Sequence, residues 1–165
     1  MLIGILSDSH GRADTTARAV ADLIALGAEM LLHLGDIGTE AVIDELIGHN
    51  ARIVFGNCDP NADALAHYAE LVSVQVDHPM GVLEVDGKRI AFTHGDMTGL
   101  MNQAIGEGVD YLLHGHTHVI RDERVGRTRI INPGAVFRAA RYTSALLDPA
   151  ADRVQFIEIA SAPKT

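Results

Sequence analysis

The chain has 165 residues, enough to bury a hydrophobic core without disulfides, and 47% hydrophobic against 21% charged residues excludes a disordered or fibrous protein. A formal charge of −9, no tryptophan and only 4% aromatics exclude the basic groove or base-stacking platform that long nucleic acid requires, yet leave a small phosphorylated ligand open. Cys58 is the only cysteine, so no internal disulfide can form; with no basic leader and no apolar run of about 18 residues, the expectation is a cytoplasmic protein that neither spans a membrane nor is exported.

Residues 2–7 form a short apolar run of the kind buried on both faces, and residues 12–26 follow with Ala17, Val20, Ala21 and Ile24 at helical spacing. Residues 30–34 are the next apolar run. Thr39 then stands where it can cap a helix whose Val42, Ile43, Leu46 and Ile47 share one face, and residues 53–55 make a third strand. Three such units in a row predict a parallel sheet with right-handed crossovers.

Beyond a short helix at 61–67 the pattern turns to paired β segments: 82–85 with 89–93 around Asp86-Gly87, 119–125 with 129–131 across Gly126-Arg127, and 142–147 with 154–159 around Asp148-Pro149. A helix at 99–105 and a strand at 111–113 fall between them, and residues 160–165 read as a frayed tail. No repeat, linker or low-complexity tract interrupts the chain, which reads as a single domain over 1–165. A βαβ front half and a β-rich back half predict an α/β protein of two sheets packed face to face with helices outside.

Five short segments carry the chemistry: Asp8-Ser9-His10, Gly35-Asp36, Gly56-Asn57-Cys58-Asp59, Thr93-His94-Gly95 and Gly115-His116-Thr117-His118. Most directly follow an apolar run, which puts them at the carboxyl ends of strands, the edge where open α/β sheets bind ligands. Together they offer seven metal donors, Asp8, His10, Asp36, Asn57, His94, His116 and His118, enough for two ions. Mixed carboxylate, amide and imidazole donors suit Mn²⁺, Fe²⁺ or Zn²⁺. Asp8 and His10, two apart in an extended loop, can point to one ion, and Asp36 with its two carboxylate oxygens is the candidate bridge. Asn57 adds a ligand without neutralising the metals' charge. Two ions about 3.5–4 Å apart activate a shared water and clamp the entering and leaving oxygens of a displacement at phosphorus. The expected reaction is phosphoester hydrolysis by metal-bound hydroxide, with no serine or cysteine nucleophile.

These motifs, in this order, resemble those of the calcineurin-like metallophosphoesterases, and the Gly-Asn-Cys-Asp segment is similar to that of their small bacterial and archaeal phosphodiesterases. The resemblance spans residues 3–134 and includes Asn132-Pro133-Gly134, the family's usual closing turn. It implies a four-layer α/β/β/α sandwich, two divalent ions (Mn²⁺ first, with Ni²⁺, Fe²⁺ or Zn²⁺ as alternatives), a small phosphorylated substrate and a homo-oligomer, dimer or tetramer. Asp8, His10, Asp36 and His118 would hold one ion; Asp36, Asn57, His94 and His116 would hold the other. The candidate catalytic set is Asp36, Asn57, Cys58, Asp59 and His94. Cys58 is the departure, because the broader family has a histidine there that protonates the leaving group. A thiol with a pKa near about 8.5 is a poorer donor than an imidazolium near about 6.5, so esters with good leaving groups should suffer less.

Plainer readings cover the remaining candidates. His33 and His114 sit inside apolar runs and read as hydrogen-bonded core histidines, while His49, His67 and His78 read as surface residues. Asp59 either orients its neighbours or caps the helix that follows. Arg12, Arg138 and Arg141 read as solvated loop arginines before phosphate contacts. The competing functional class is a binding or scaffold module on the same fold, disfavoured because Asp36 and Asn57 are intact. A metallo-β-lactamase-like hydrolase is disfavoured because His116-Thr117-His118 lacks the Asp-His pair that pattern needs.

Overall fold

A computed structural model describes residues 1–160, and the expected tail, apart from Ala160, lies outside them. Eleven strands and four helices alternate as β1 (Ile3–Leu6), α1 (Ala13–Ala25), β2 (Met30–Leu34), α2 (Glu40–Asp44), β3 (Ala51–Val54), α3 (Ala62–Leu71), β4 (Gln75–Val76), β5 (Met80–Val85), β6 (Lys88–Thr93), α4 (Thr98–Gly106), β7 (Tyr111–Leu113), β8 (Arg121–Val125), β9 (Thr128–Asn132), β10 (Thr143–Asp148) and β11 (Arg153–Glu158). The first sheet has the order β11-β10-β1-β2-β3-β4 and the second β5-β6-β7-β9-β8.

The period-2 alternation of strand side chains builds the layers. Ile3 and Ile5 of β1, Leu32 and Leu34 of β2 and Val54 of β3 face the second sheet, where they meet Ile90, Phe92, Tyr111, Leu113 and Ile131. Their neighbours Leu6, Leu31 and Ile53 face outward onto Ala19, Val20 and Leu23 of α1 and Val42 and Ile43 of α2. On the far side of the second sheet, Ala91, Leu112 and Ile130 pack against Ala104 of α4. Helix, sheet, sheet and helix are therefore stacked, with one core between each pair of layers.

Several expectations need correcting. The helix after Thr39 stops at Asp44, Thr39 makes no side-chain capping bond, and Ile47 is exposed; the buried face is Val42, Ile43 and Leu46 alone. The 61–67 helix runs on to Leu71, because Leu65 and Ala69 give it a buried face, and the two-residue β4 that follows extends the parallel run beyond β3. The β-rich back half is also divided between the sheets. β5 to β9 form the second, but β10 returns to pair antiparallel with β1 (Ile3 opposite Leu147) and carries β11 with it into the first.

β1, β2 and β3 are parallel neighbours, and so are β6 and β7. The loops leaving those five strands carry the five motifs.

Candidate metal centre

The loops after β1 and β2 are zipped together by backbone bonds. Asp8 N–H donates to Gly35 O (3.0 Å), His10 N–H to Asp36 O (2.8 Å) and Gly11 N–H to Ile37 O (2.8 Å). This zipper overrides the extended conformation expected of Asp8-Ser9-His10: Asp8 (φ 59°) and His10 (φ 45°) are left-handed. Asp36 (φ 53°), His116 (φ 68°) and His118 (φ 59°) are left-handed as well. Five of the seven predicted ligands thus hold a conformation that costs a non-glycine residue of order 1–3 kcal/mol, and such strain concentrates at binding sites. Glycines make room for the side chains. A Cβ on Gly56 would lie 2.7 Å from His94 Nε2, and one on Gly35 (φ 96°) 2.7 Å from His94 Nδ1.

Asp8, His10, Asp36 and His118 converge so that one donor atom from each lies within 4.8 Å of all the others. On the other side of Asp36, His94 Nε2 is 3.1 Å from Asn57 Oδ1 and 3.4 Å from Asp36 Oδ1, and the His94 and His116 rings stand 5.1 Å apart. Asp36 Oδ2 meanwhile faces His10 Nε2 at 3.7 Å. The two oxygens of Asp36 therefore look into two donor groups, which between them contain all seven predicted ligands.

The polar contacts inside these groups are incomplete without a cation. Asp8 is fully buried; its Oδ2 accepts from His116 N–H at 3.1 Å, but its Oδ1 has no hydrogen-bond partner and lies 3.2 Å from His118 Nε2. Burial pushes the Asp8 carboxyl above its ordinary range. His118 Nδ1 lies 3.0 Å from Arg138 O. A neutral imidazole carries one proton, so either Nδ1 or Nε2 must meet an acceptor lone pair to lone pair. His94 has the same problem, with Leu34 O 2.8 Å from Nδ1 and the Asn57 and Asp36 oxygens at Nε2. Backbone carbonyls that fix Nδ1–H and leave Nε2 bare are the usual support of metal-bound histidines. A divalent cation at each Nε2 resolves both conflicts, so the donor set fits the metals that the family implies.

Asp59 is 5% exposed and receives three backbone N–H groups, Ile37 and Gly56 on Oδ2 (3.1 and 2.9 Å) and Gly38 on Oδ1 (2.8 Å). Of the two readings given to Asp59, the structure shows the orienting one: its carboxylate holds the Asp36 and Asn57 loops together, and it makes no side-chain cap on α3. Cys58 lies exposed at the rim, its N–H donating to Asp36 Oδ1 at 2.8 Å, and desolvation with the nearby Asp36 charge pushes its thiol up.

His33 and His114 are core histidines as expected. His33 takes the Gly35 N–H on Nδ1 (3.3 Å), which leaves Nε2–H to donate to Ser9 Oγ (2.8 Å), and burial lowers it to about 3. His114 accepts from Arg121 on Nε2 (3.2 Å) and is lowered by burial to about 4. His49, His67 and His78 are exposed. The residue whose part the motifs did not reveal is Asn132. Its buried amide donates to Gly115 O (2.8 Å) and Thr117 Oγ1 (3.0 Å) and accepts Gly134 N–H (2.9 Å), so it pins the loop that carries His116 and His118. Its place in an Asn-Pro-Gly turn straight after a strand was the available signal.

Two cavities flank this loop and meet at Thr117. One, of about 530 Å³, has His116, Asp96, Met101, Ile105 and Ile130 in its wall. The other, of about 520 Å³, has His118, Val119, Arg138 and Arg141.

Comparison with known proteins identifies the family and the fold. The calcineurin-like phosphoesterase superfamily domain matches residues 1–152. Phosphodiesterase MJ0936 of Methanocaldococcus jannaschii is 31% identical over 139 residues, 81% of this chain and 83% of that protein. Phosphodiesterase YfcE of Escherichia coli is 28% identical over 151 residues, 82% of this chain and 79% of its own. The solved structure of an archaeal phosphodiesterase superposes with a TM-score of 0.87 at 26% identity, covering 96% of this chain and all of that one. The chain belongs to the calcineurin-like phosphoesterase superfamily.

Proposed function

We propose that the protein is a two-metal phosphodiesterase acting on a small phosphorylated substrate. The observation that carries this reading is Asp36, whose two carboxylate oxygens face separate donor groups, each drawing donors from both sheets. Asp8, His10, Asp36 and His118 would hold one ion and Asp36, Asn57, His94 and His116 the other. Bound there, the pair supplies Lewis acidity at phosphorus and an activated water.

The chain's own residues do the rest. Asp59 and Asn132 fix the loops so that the donors are arranged before an ion arrives, which spares the binding step that ordering cost. Leu34 O and Arg138 O orient His94 and His118. Cys58 keeps its proton at neutral pH and stands at the open face beside Asn57, where a departing oxygen leaves. Cavities on both flanks of His116-Thr117-His118 support a diester, because a diester carries two substituents and a monoester one. The acidic chain favours a small substrate, since two divalent ions make the pocket locally positive whatever the overall charge.

Hydrolysis of bis-nitrophenyl phosphate and nitrophenyl phosphate by chelated protein, before and after Mn²⁺, tests the reading alongside metal analysis and the variants Asp36→Ala and His94→Ala. Activity should require metal, favour the diester and vanish in both variants, with two ions retained per chain. One ion per active chain would overturn the two-metal reading. No turnover with Mn²⁺, Ni²⁺, Fe²⁺ or Zn²⁺ by folded protein would move the assignment to an interaction module on the same fold.

A further inference from the structure

Twelve lysine and arginine side chains lie within residues 1–160, and nine of them form ion pairs with carboxylates. In a chain of net charge −9 that is the ordinary fate of a cation. The three without an ion pair among the described residues are Arg12, Arg138 and Arg141, and all three gather at the same rim of the site. Arg12 lies over the Phe137 ring at 4.4 Å. Arg138 is left-handed (φ 57°), hands its carbonyl to His118, and places its charge where both His10 and Cys58 feel it. Arg141 stands further out, in the wall of the 520 Å³ cavity, whose lining holds two guanidiniums and no carboxylate. The cavity on the other flank is different, with Asp96 in its wall and its arginine, Arg121, already paired to Glu123.

Charge decides what the arginine cavity is for. A diester phosphate carries one negative charge. Two divalent ions beside Asp8 and Asp36 leave a charge of about +2, which the diester and a metal-bound hydroxide together neutralise, so the scissile phosphate has no need of two further guanidiniums. Unpaired guanidiniums in a cavity are the side chains of choice for bidentate recognition of phosphate. We propose that the cavity of Arg138 and Arg141 is a second anion subsite, and that the preferred substrate is a phosphodiester whose substituent on the His118 side bears a further phosphate. This assignment rests on the phosphodiesterase reading, with the cavity beside His116, which offers no unpaired guanidinium, taking the other, uncharged substituent.

Two chromogenic esters separate the possibilities: the nitrophenyl ester of thymidine 5′-phosphate, and the same ester carrying a 3′-phosphate. The Mn²⁺-loaded wild type should prefer the 3′-phosphorylated ester in kcat/KM by about tenfold, mostly through KM, as expected for charge-assisted hydrogen bonds. That preference should fall towards one in Arg138→Gln and Arg141→Gln and return in part in Arg141→Lys. On chelated protein, calorimetry should show thymidine 3′,5′-bisphosphate binding more tightly than thymidine 5′-phosphate, with the difference lost in Arg141→Gln. Turnover of both esters with no preference overturns the subsite while leaving the phosphodiesterase standing. Equal losses on both esters in the variants assign the arginines to the scissile phosphate and overturn it too. No turnover of either ester removes the underlying activity and the subsite together.

Discussion

The two sheets contribute unlike halves to the centre. Every candidate oxygen donor, Asp8, Asp36 and Asn57, comes from loops of the first sheet, with His10 alone adding a nitrogen; the second sheet offers only imidazoles, His94, His116 and His118. The halves also differ in how they are held. Asp8 and Asp36 are buried on loops bonded backbone to backbone and gripped by Asp59, whereas His116 is exposed and His118 half-buried on a loop pinned by Asn132 and the Arg138 carbonyl. The negative charge is therefore fixed in the floor on one side of the seam, and neutral donors approach it from the other. An ion bound there is a cross-link between the sheets, and its removal leaves acceptors facing acceptors.

The largest effect should come from removing the cross-link. Saturating wild type with Mn²⁺ at about 100 times its dissociation constant should add roughly 2.7 kcal/mol of stability for each ion bound, a rise in Tm of about 5–10 °C per ion for a chain of this size. Asp8→Asn should remove the share of that rise due to the ion it helps hold and abolish the hydrolysis, yet melt higher than wild type in chelator. The amide replaces an unpartnered carboxylate oxygen and can donate to His118 Nε2 across the 3.2 Å gap, relieving a cost of about 1–3 kcal/mol. A chelated Asp8→Asn that melts lower than wild type would mean that the seam is not under this electrostatic load.

Asn132 tests the other half. Asn132→Ala removes the pin of the His116 and His118 loop without touching a donor, so metal affinity or activity should fall by about 10- to 100-fold with the first sheet's carboxylates undisturbed. Titration of Mn²⁺ followed by calorimetry, together with circular dichroism to verify folding, would read this directly; unchanged affinity would make the loop self-supporting. Asn132 also shows where sequence reading stops. The donors were legible because short, chemically distinctive residues follow apolar runs of strand length, and the order of the five motifs admits few alternatives. The layers were legible because Ile3, Ile5, Leu32 and Leu34 alternate with side chains that face the helices. What supports the donors was legible only at Asp59, as one of two readings, since Asn132 and the Leu34 and Arg138 carbonyls act through contacts between segments far apart in sequence. The left-handed donors were missed for the same reason, as the strain at Asp8 and His10 is imposed by Gly35 and Asp36 across the loop. The return of β10 to β1 is likewise a pairing across more than 130 residues that no local pattern records.

Cys58 sits on the first sheet's side but at the rim, where the comparison predicts adaptable chemistry. Cys58→His should raise turnover of alkyl phosphodiesters more than that of nitrophenyl esters, because an imidazolium is the stronger acid and poor leaving groups depend on the proton most. General acid catalysis is worth about 10²-fold at the low end of its usual range, and a gain of that order on the alkyl ester alone would be the signature. Equal changes on both substrate types would remove Cys58 from the leaving-group step.

The smallest effect lies behind the histidine loop, in the β8–β9 hairpin. Arg129 forks onto Asp122 with two 2.8 Å bonds and reaches Asp152 at 2.9 Å, while Tyr111 donates to the same Asp152 at 2.7 Å. Hydrogen bonds from Arg129 hold the Asp122 carboxyl below its ordinary range, and those from Tyr111 and Arg129 do the same for Asp152. Carboxyls with depressed folded values stabilise the protein above their unfolded pKa of about 3.9 and lose that contribution as pH falls through the folded values. Arg129→Gln should therefore cost stability at neutral pH, under about 1 kcal/mol for each pair because the acids are largely solvated, and the pH-dependent part of the gap to wild type should close below about pH 4. Urea denaturation from pH 7 to pH 3 reads the gap, and Mn²⁺ affinity measured at pH 7 should be the same in both proteins. A weaker metal site in Arg129→Gln would show that the histidine loop leans on this hairpin as well as on Asn132, and that the second sheet's half of the centre is held as tightly as the first.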